Sequence, residues 1–253
     1  MTAPDPWVID LDGVVWLGGE PIPGSVEAVA RLVDTGHPVM FATNFSYAPV
    51  ADTEAQLARI GVPAKGKVVS SAMAAAELVA PDETALLCAG PGVQEALLAR
   101  GATVVRDGDA DVVVVGYHPD FDYDRMTVAT RALRNGARLV ATNDDATLPT
   151  AKGLLPGGGA ILASIVVASG VQPVVAGKPH EPMAAFIRRR LGAVGTMVGD
   201  RFDTDGGFAA TLGYRFGLVL SGVATADDLA GQPAPDLVAA DLAHLVADAL
   251  AAG

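Results

Sequence analysis

The sequence predicts an α/β fold, a parallel sheet flanked by crossover helices, with a second α/β domain inserted into it. Short apolar runs with strand character alternate with helix-period segments along the whole chain. The stretch from 74 to 175 carries strands and helices of its own, enough for a separate domain. Half of the 253 residues are apolar but only 5% are aromatic, a composition suited to helices packed on buried strands. The expected boundaries are residues 1–73 and 176–253 for the outer domain and 74–175 for the insert.

The elements follow in order. A strand over 7–11 precedes Pro23-Gly24-Ser25, after which Val26, Val29, Ala30 and Val33 recur at helical spacing until Gly36 stops the run. A second strand covers 39–43 and ends on Asn44; helices are expected over 50–60 and 70–79. The insert has strands at 84–89, 112–117 and 138–142 and helices at 93–100, 125–135 and 160–168. Strand 173–176, helix 182–191, strand 196–199, a short helix at 207–212 and strand 214–220 come next, and 238–251 reads as a closing helix.

A formal charge of −12 argues against nucleic acid as a partner, because such binders use a basic stripe to displace counterions and none is visible. It also disfavours docking on anionic membranes, and the apolar run at 160–168 is far shorter than the roughly 20 residues of a span. A small anionic substrate is still admitted if a metal and local cations offset the field. The opening Met-Thr-Ala-Pro-Asp-Pro has no export signature, so a cytoplasmic location is expected. Cys88 is the single cysteine, and its apolar surroundings predict an inert core thiol.

Four groups fall where strands end, which is where open α/β sheets bind ligands. They are Asp10-Leu11-Asp12-Gly13, then Thr43-Asn44, then Gly177-Lys178-Pro179, then Gly199-Asp200-Arg201-Phe202-Asp203-Thr204-Asp205. Singly they read as turns, a helix cap or a solvated loop cation. Together they place several carboxylates, a lysine and a hydroxyl around one rim. Acids so clustered repel one another unless a hard cation sits among them, and oxygen-only ligands point to Mg²⁺.

These segments, in this order, resemble the four motifs of the haloacid dehalogenase (HAD) superfamily of phosphatases. The opening Asp-Leu-Asp-Gly-Val-Val-Trp, the large insert, Leu148-Pro149-Thr150 with Leu155-Pro156-Gly157-Gly158-Gly159-Ala160, and Gly-Asp-Arg-x-x-Thr-Asp resemble its NagD-like, 4-nitrophenylphosphatase branch. The resemblance implies a Rossmann-like core with a C2-type cap. It also implies hydrolysis of small phosphate monoesters, such as sugar, glycerol, glycolate or nucleoside monophosphates. Asp10 would be the nucleophile that forms an aspartyl-phosphate and Asp12 the general acid and base. Thr43 and Lys178 would hold the phosphoryl group, with Asn44 and Asp145 as further substrate contacts. Mg²⁺ would be held by Asp10, Asp200 and the backbone carbonyl of Asp12, with Asp205 behind them. Cap surfaces of this branch often pair, so homodimerisation stays open.

Two positions depart from the pattern: Phe45 stands where many relatives have a second Asn, and Gly206-Gly207 replaces a more helix-favouring start. Of the four histidines, His180 alone falls near the expected site, while Arg201 reads as a structural ion-pair partner or a guard of the crevice. Transfer to another sugar, as in a mutase, uses the same Asp10 chemistry but is usually served by a cap after the first motif, and only about thirty residues separate Asp12 from Thr43. A non-catalytic phosphoryl-ligand binder is the other alternative; it would be expected to lack one of Asp10, Asp12 or Lys178.

Overall fold

Val8 and Ile9 are wholly excluded from solvent although their side chains point to opposite faces of one strand. A strand buried on both faces must be covered by helices on both sides, the arrangement of a parallel α/β sheet. The protein, a computed structural model, is described for residues 4–150 and 153–252. The first three residues of the segment read for an export signal lie outside it, as do the side chains of Pro149 and Thr150.

The chain begins with β1 (Trp7–Ile9), a small hairpin β2 (Trp16–Leu17) and β3 (Glu20–Pro21), α1 (Ser25–Asp34), β4 (Val39–Thr43), α2 (Val50–Arg59), β5 (Val68–Ser70) and α3 (Ser71–Ala76). It continues through β6 (Thr84–Cys88), α4 (Pro91–Ala99), β7 (Thr103–Val105), β8 (Val112–Val115), α5 (Tyr123–Arg134), β9 (Arg138–Ala141), β10 (Thr147–Thr150), β11 (Gly153–Pro156) and α6 (Gly158–Ser169). It closes with β12 (Pro173–Val175), α7 (Glu181–Leu191), β13 (Thr196–Gly199), a π-helical turn Phe202–Gly206, α8 (Gly207–Leu212), β14 (Arg215–Val219), a 3₁₀ turn Ala226–Leu229, β15 (Leu237–Ala239) and α9 (Leu242–Ala252).

These elements form two units. One takes the residues up to Thr43, Ala51–Val69 and those from Ala184 onward. Its sheet has the order β15-β14-β13-β1-β4-β5. β1 pairs in parallel with β4 on one side and β13 on the other, so the chain order reverses beside β1. That reversal opens a crevice at the carboxyl ends of β1 and its neighbours. α1 shows why its sequence is helical: Ala28, Val29 and Leu32 lie on one buried stripe, and its outer face carries Glu27 and Arg31.

The other unit takes Asn44–Val50 and Ser70–Met183, with a five-stranded sheet ordered β12-β9-β8-β6-β7 whose strand pairs are all parallel. Its central strand β8 is four valines, none of them exposed. Leu133 of α5 and Ile161, Leu162 and Ile165 of α6 pack in the core that covers it.

Three expectations are corrected. The run 238–251 is not one helix: Leu237–Ala239 forms the parallel edge strand β15 and α9 begins at Leu242. Three apolar residues carry no period that separates strand from helix. Second, the strand before Lys178 does not share a sheet with β1; β12 pairs with β9 in the five-stranded sheet, so the four motifs do not all end strands of one sheet. Composition marks a short apolar run as a strand but does not say which sheet it joins. Third, the helix expected over 70–79 spans Ser71–Ala76. The short strands β2, β3, β5, β7, β10 and β11 were not anticipated, and all six are two to four residues long.

Candidate active site

Asp10 follows β1 directly, and its N–H donates to the carbonyl of Val198 on β13 at 2.9 Å. The parallel register Ile9↔Val198 carries the ends of both strands to the same edge, with Asp10 from one and Asp200 from the other. The chain after Asp10 closes a tight loop in which the N–H groups of Val15 and Trp16 both donate to the Leu11 carbonyl, at 2.9 and 3.1 Å, and Gly13 N–H donates to the Trp16 carbonyl at 2.8 Å. Asp12 is exposed at this turn, and the Trp16 indole Nε1–H donates to its Oδ1 at 3.0 Å.

β13 leads to Asp200 and then to the π-helical turn, a geometry often found at functional positions. The wide turn folds Asp205 back so that its Oδ2 accepts the N–H groups of Asp200 and Arg201, each at 3.2 Å. Asp200 is held from the far side by residues 221–224: Val223 N–H donates to its Oδ2 at 2.7 Å and Ala224 N–H to its carbonyl at 2.9 Å. Ser221 Oγ donates to the Gly13 carbonyl at 2.7 Å, tying this segment to the first motif as well.

Gly13 has φ +83° and a Cβ there would fall on the Asp200 carboxylate; a Cβ on Gly222 would do the same. Both glycines are thus required for the backbone to approach that carboxylate. Oxygens of Asp10, Asp200 and Asp205, all buried, lie within 4.8 Å of one another. Three buried carboxylates at that separation call for a hard divalent cation beside them, and oxygen ligands are what such a cation takes. The side chain of Asp12 is not among them.

Thr43 ends β4, next to β1, and is 4% exposed. The following residue, Asn44, is the hub of a network in the other unit. Its Oδ1 accepts Lys178 N–H at 2.8 Å, while its Nδ2 donates to the Lys178 carbonyl at 3.0 Å and to Asp145 Oδ2 at 3.1 Å. The Asn44 carbonyl accepts from Ser71 Oγ at 2.7 Å and Asn143 Nδ2 at 2.8 Å. Both Asn44 amide hydrogens are therefore committed within the protein. Lys178 is 3% exposed, and an ammonium so buried requires anionic company.

Among the remaining candidates, His180 Nε2 lies 3.0 Å from Asp144 Oδ2, one residue before Asp145. The Arg201 guanidinium forks onto Asp203 with contacts of 3.0 and 2.7 Å, and this bond holds the Asp203 carboxyl below its ordinary range. Phe45 is 37% exposed and meets Tyr47 at a tilt. His118 Nδ1 faces the Gly116 carbonyl at 2.9 Å, His37 Nδ1 the Asp5 carbonyl at 2.8 Å and His244 Nδ1 the Asp241 carboxylate at 2.8 Å.

Two contributors escaped the sequence reading. The one sequence signal for Trp16 is its spacing of four from Asp12 across a glycine turn. Residues 221–223 follow β14 as Ser-Gly-Val, and nothing in that tripeptide announces a brace for Asp200.

Comparison with known proteins adds an independent line. A family model described as haloacid dehalogenase-like hydrolase matches residues 7–103, and one described as HAD-hydrolase-like matches residues 175–245. The chain is 36% identical over 209 residues to the acid sugar phosphatase of Staphylococcus saprophyticus, covering 79% of this chain and 80% of that one. It is 34% identical over 240 residues to the acid sugar phosphatase of Staphylococcus epidermidis, with 90% and 91% covered. Among solved structures, a 4-nitrophenylphosphatase from Thermotoga maritima superposes with a TM-score of 0.90 at 30% identity over 96% of each chain. A glycerol phosphate phosphatase from Mycobacterium tuberculosis, in complex with magnesium, gives 0.88 at 34% identity over 95% of this chain and 76% of that one.

Proposed function

Because this chain belongs to the haloacid dehalogenase-like hydrolases, we propose that it is a Mg²⁺-dependent phosphatase of small phosphate monoesters, working through an aspartyl-phosphate on Asp10. The observation that carries the reading is the meeting of the buried Asp10, Asp200 and Asp205 carboxylates, with Asp12 exposed two residues beyond Asp10. The names of the relatives, acid sugar, glycerol phosphate and 4-nitrophenyl phosphatase, support the reaction class and leave the alcohol of the ester open.

In this reading Asp10 attacks phosphorus as a carboxylate, a nucleophile that needs no neighbouring base to activate it as a hydroxyl would. The bond to the leaving oxygen breaks, and Asp12 delivers its proton to that oxygen. Asp12 then takes a proton from the water that attacks the acyl phosphate, releasing inorganic phosphate and restoring Asp10. Thr43 donates its hydroxyl to the phosphoryl group, and the Lys178 ammonium offsets charge on it and on Asp10. Asp10, Asp200 and the Asp12 carbonyl would hold the cation, which when bound supplies positive charge against the phosphoryl oxygens. Asp205 keeps the Asp200 backbone in place through its paired N–H contacts.

The insert, residues 74–175, serves as the cap, and Asp145, oriented by Asn44, is its contribution to substrate choice. Asn44 acts through its carboxamide as a brace for the Lys178 backbone rather than as a direct contact to substrate. A panel of sugar, glycerol, glycolate, nucleoside and 4-nitrophenyl phosphates, assayed for phosphate release with Mg²⁺ and with chelator, tests the reading. Release from at least one ester, abolished by chelator and by Asp10→Asn, is expected; no release from any ester, or full activity in Asp10→Asn, overturns it.

A further inference from the structure

We propose that Trp16 is a positioning residue for Asp12: its indole N–H fixes the orientation of that carboxylate, so that Trp16 governs hydrolysis of esters whose alcohols must be protonated as they leave. The inference deepens the reading of Asp12 as general acid and rests on it.

Asp12 is exposed at the crown of a turn, where an aspartate side chain ordinarily samples several rotamers. Trp16 is its opposite, 5% exposed and fixed at several points. Its backbone N–H and carbonyl are bonded to the Leu11 carbonyl and the Gly13 N–H, and an isolated bridge pairs Asp12 with Trp16. Beyond it the chain enters the β2–β3 hairpin in the register Trp16↔Pro21. The preceding carbonyl, of Val15, accepts both Ile22 N–H at 3.0 Å and Ser25 Oγ at 2.7 Å, anchoring the loop to the start of α1.

The indole therefore has a set position, and its single polar group meets Asp12 Oδ1 at 3.0 Å. A buried tryptophan usually finds some acceptor for its N–H. Here the acceptor is the exposed carboxylate two residues past the nucleophile, so the fixed ring holds one oxygen of that acid in a set direction.

The chemistry follows from the donor. An indole N–H can only donate, so Oδ1 is held as an acceptor and the proton bound for the leaving group is carried on Oδ2. As the bond from phosphorus to the leaving oxygen breaks, that proton forms the new O–H of the alcohol, and Asp12 becomes a carboxylate whose charge the indole N–H stabilises through Oδ1. An alkoxide leaves poorly without the proton. A 4-nitrophenolate leaves as the anion and hardly needs it.

The test compares kcat/KM, which reports the steps through phosphoryl transfer, for glycerol phosphate and 4-nitrophenyl phosphate in the wild type and in Trp16→Phe. Orientation of a general acid is part of an effect that typically totals 10²–10⁴-fold, so the alkyl ester should lose about tenfold or more while the aryl ester stays within about twofold. A second variant replaces Trp16 by benzothienylalanine, which keeps the shape of the indole without the N–H, and should show the same split with an unchanged melting temperature. Parallel loss on both esters, or loss on neither, overturns the role of Trp16 and leaves the phosphatase reading standing. A wild-type protein inert on every ester fails that reading itself.

Discussion

The Asn44 carboxamide brackets the backbone of Lys178, accepting its N–H at 2.8 Å and donating to its carbonyl at 3.0 Å. One side chain thus satisfies both main-chain groups of a residue 134 positions away, as a neighbouring strand would. The same amide reaches Asp145, so the lysine and the acid are set by one planar group.

Asn44→Ala should leave those buried groups unpaired and cost about 1–3 kcal/mol for each one that water cannot reach. Asn44→Asp keeps the size and one acceptor but removes both donors and sets a charge beside Asp145. It should be at least as damaging, lowering the urea midpoint and kcat together. A wild-type midpoint and kcat in Asn44→Asp would show that the bracket does not position Lys178.

Gly222→Ala should act through Asp200. Its Cβ would fall on the Asp200 carboxylate, and the Val223 N–H bond to Oδ2 depends on the same approach. Changes in groups that orient metal ligands commonly cost about 10–100-fold in affinity, so the Mg²⁺ concentration for half-maximal activity should rise by about that factor. Unchanged Mg²⁺ dependence in a folded Gly222→Ala protein would show that the segment after β14 has no part in holding Asp200.

How far the sequence reveals this site depends on how local each interaction is. Asp10 and Asp12 were legible because an apolar strand ending in Asp-x-Asp-Gly is a contiguous signal, and Asp200 and Asp205 because a strand precedes them within a few residues. The π-helical turn that folds Asp205 back onto its own backbone was not, since Gly206-Gly207 suggested looseness rather than a defined wide turn. The bonds of Asn44 to Lys178 and Asp145 are not legible in sequence because those partners are more than a hundred positions away. The sheet membership of β12 was hidden for the same reason: pairing with β9 is a tertiary choice that three residues, Pro173–Val175, do not encode alone.

Cys88 should be chemically silent in the native protein. Burial, the largest cause, pushes its thiol up to about 12, and Sγ lies 4.0 Å from His118 Nε2. Because His118 Nδ1 faces a carbonyl and must donate to it, Nε2 is the acceptor for the thiol hydrogen. Iodoacetamide at neutral pH should leave native protein unmodified and label it once unfolded; rapid native labelling would contradict this burial.

The same shift has a consequence for stability. The folded protein keeps a proton that the unfolded chain releases from about pH 9 upward, so stability should fall as pH rises from there toward about 12. In Cys88→Ala that part of the alkaline loss should vanish, as read from urea midpoints across the window. An identical alkaline slope in the variant would show that the thiol does not contribute.

The proposed reaction turns on Asp10 carrying the phosphoryl group, and the direct measurement is an acid quench during turnover of the best ester, followed by peptide mass analysis. The expected result is one added phosphoryl group on the peptide that contains Asp10, absent in Asp10→Asn and cleared when substrate is exhausted. Active wild-type protein that accumulates no such adduct under single-turnover conditions, or that carries the label on another residue, would contradict Asp10 as the nucleophile.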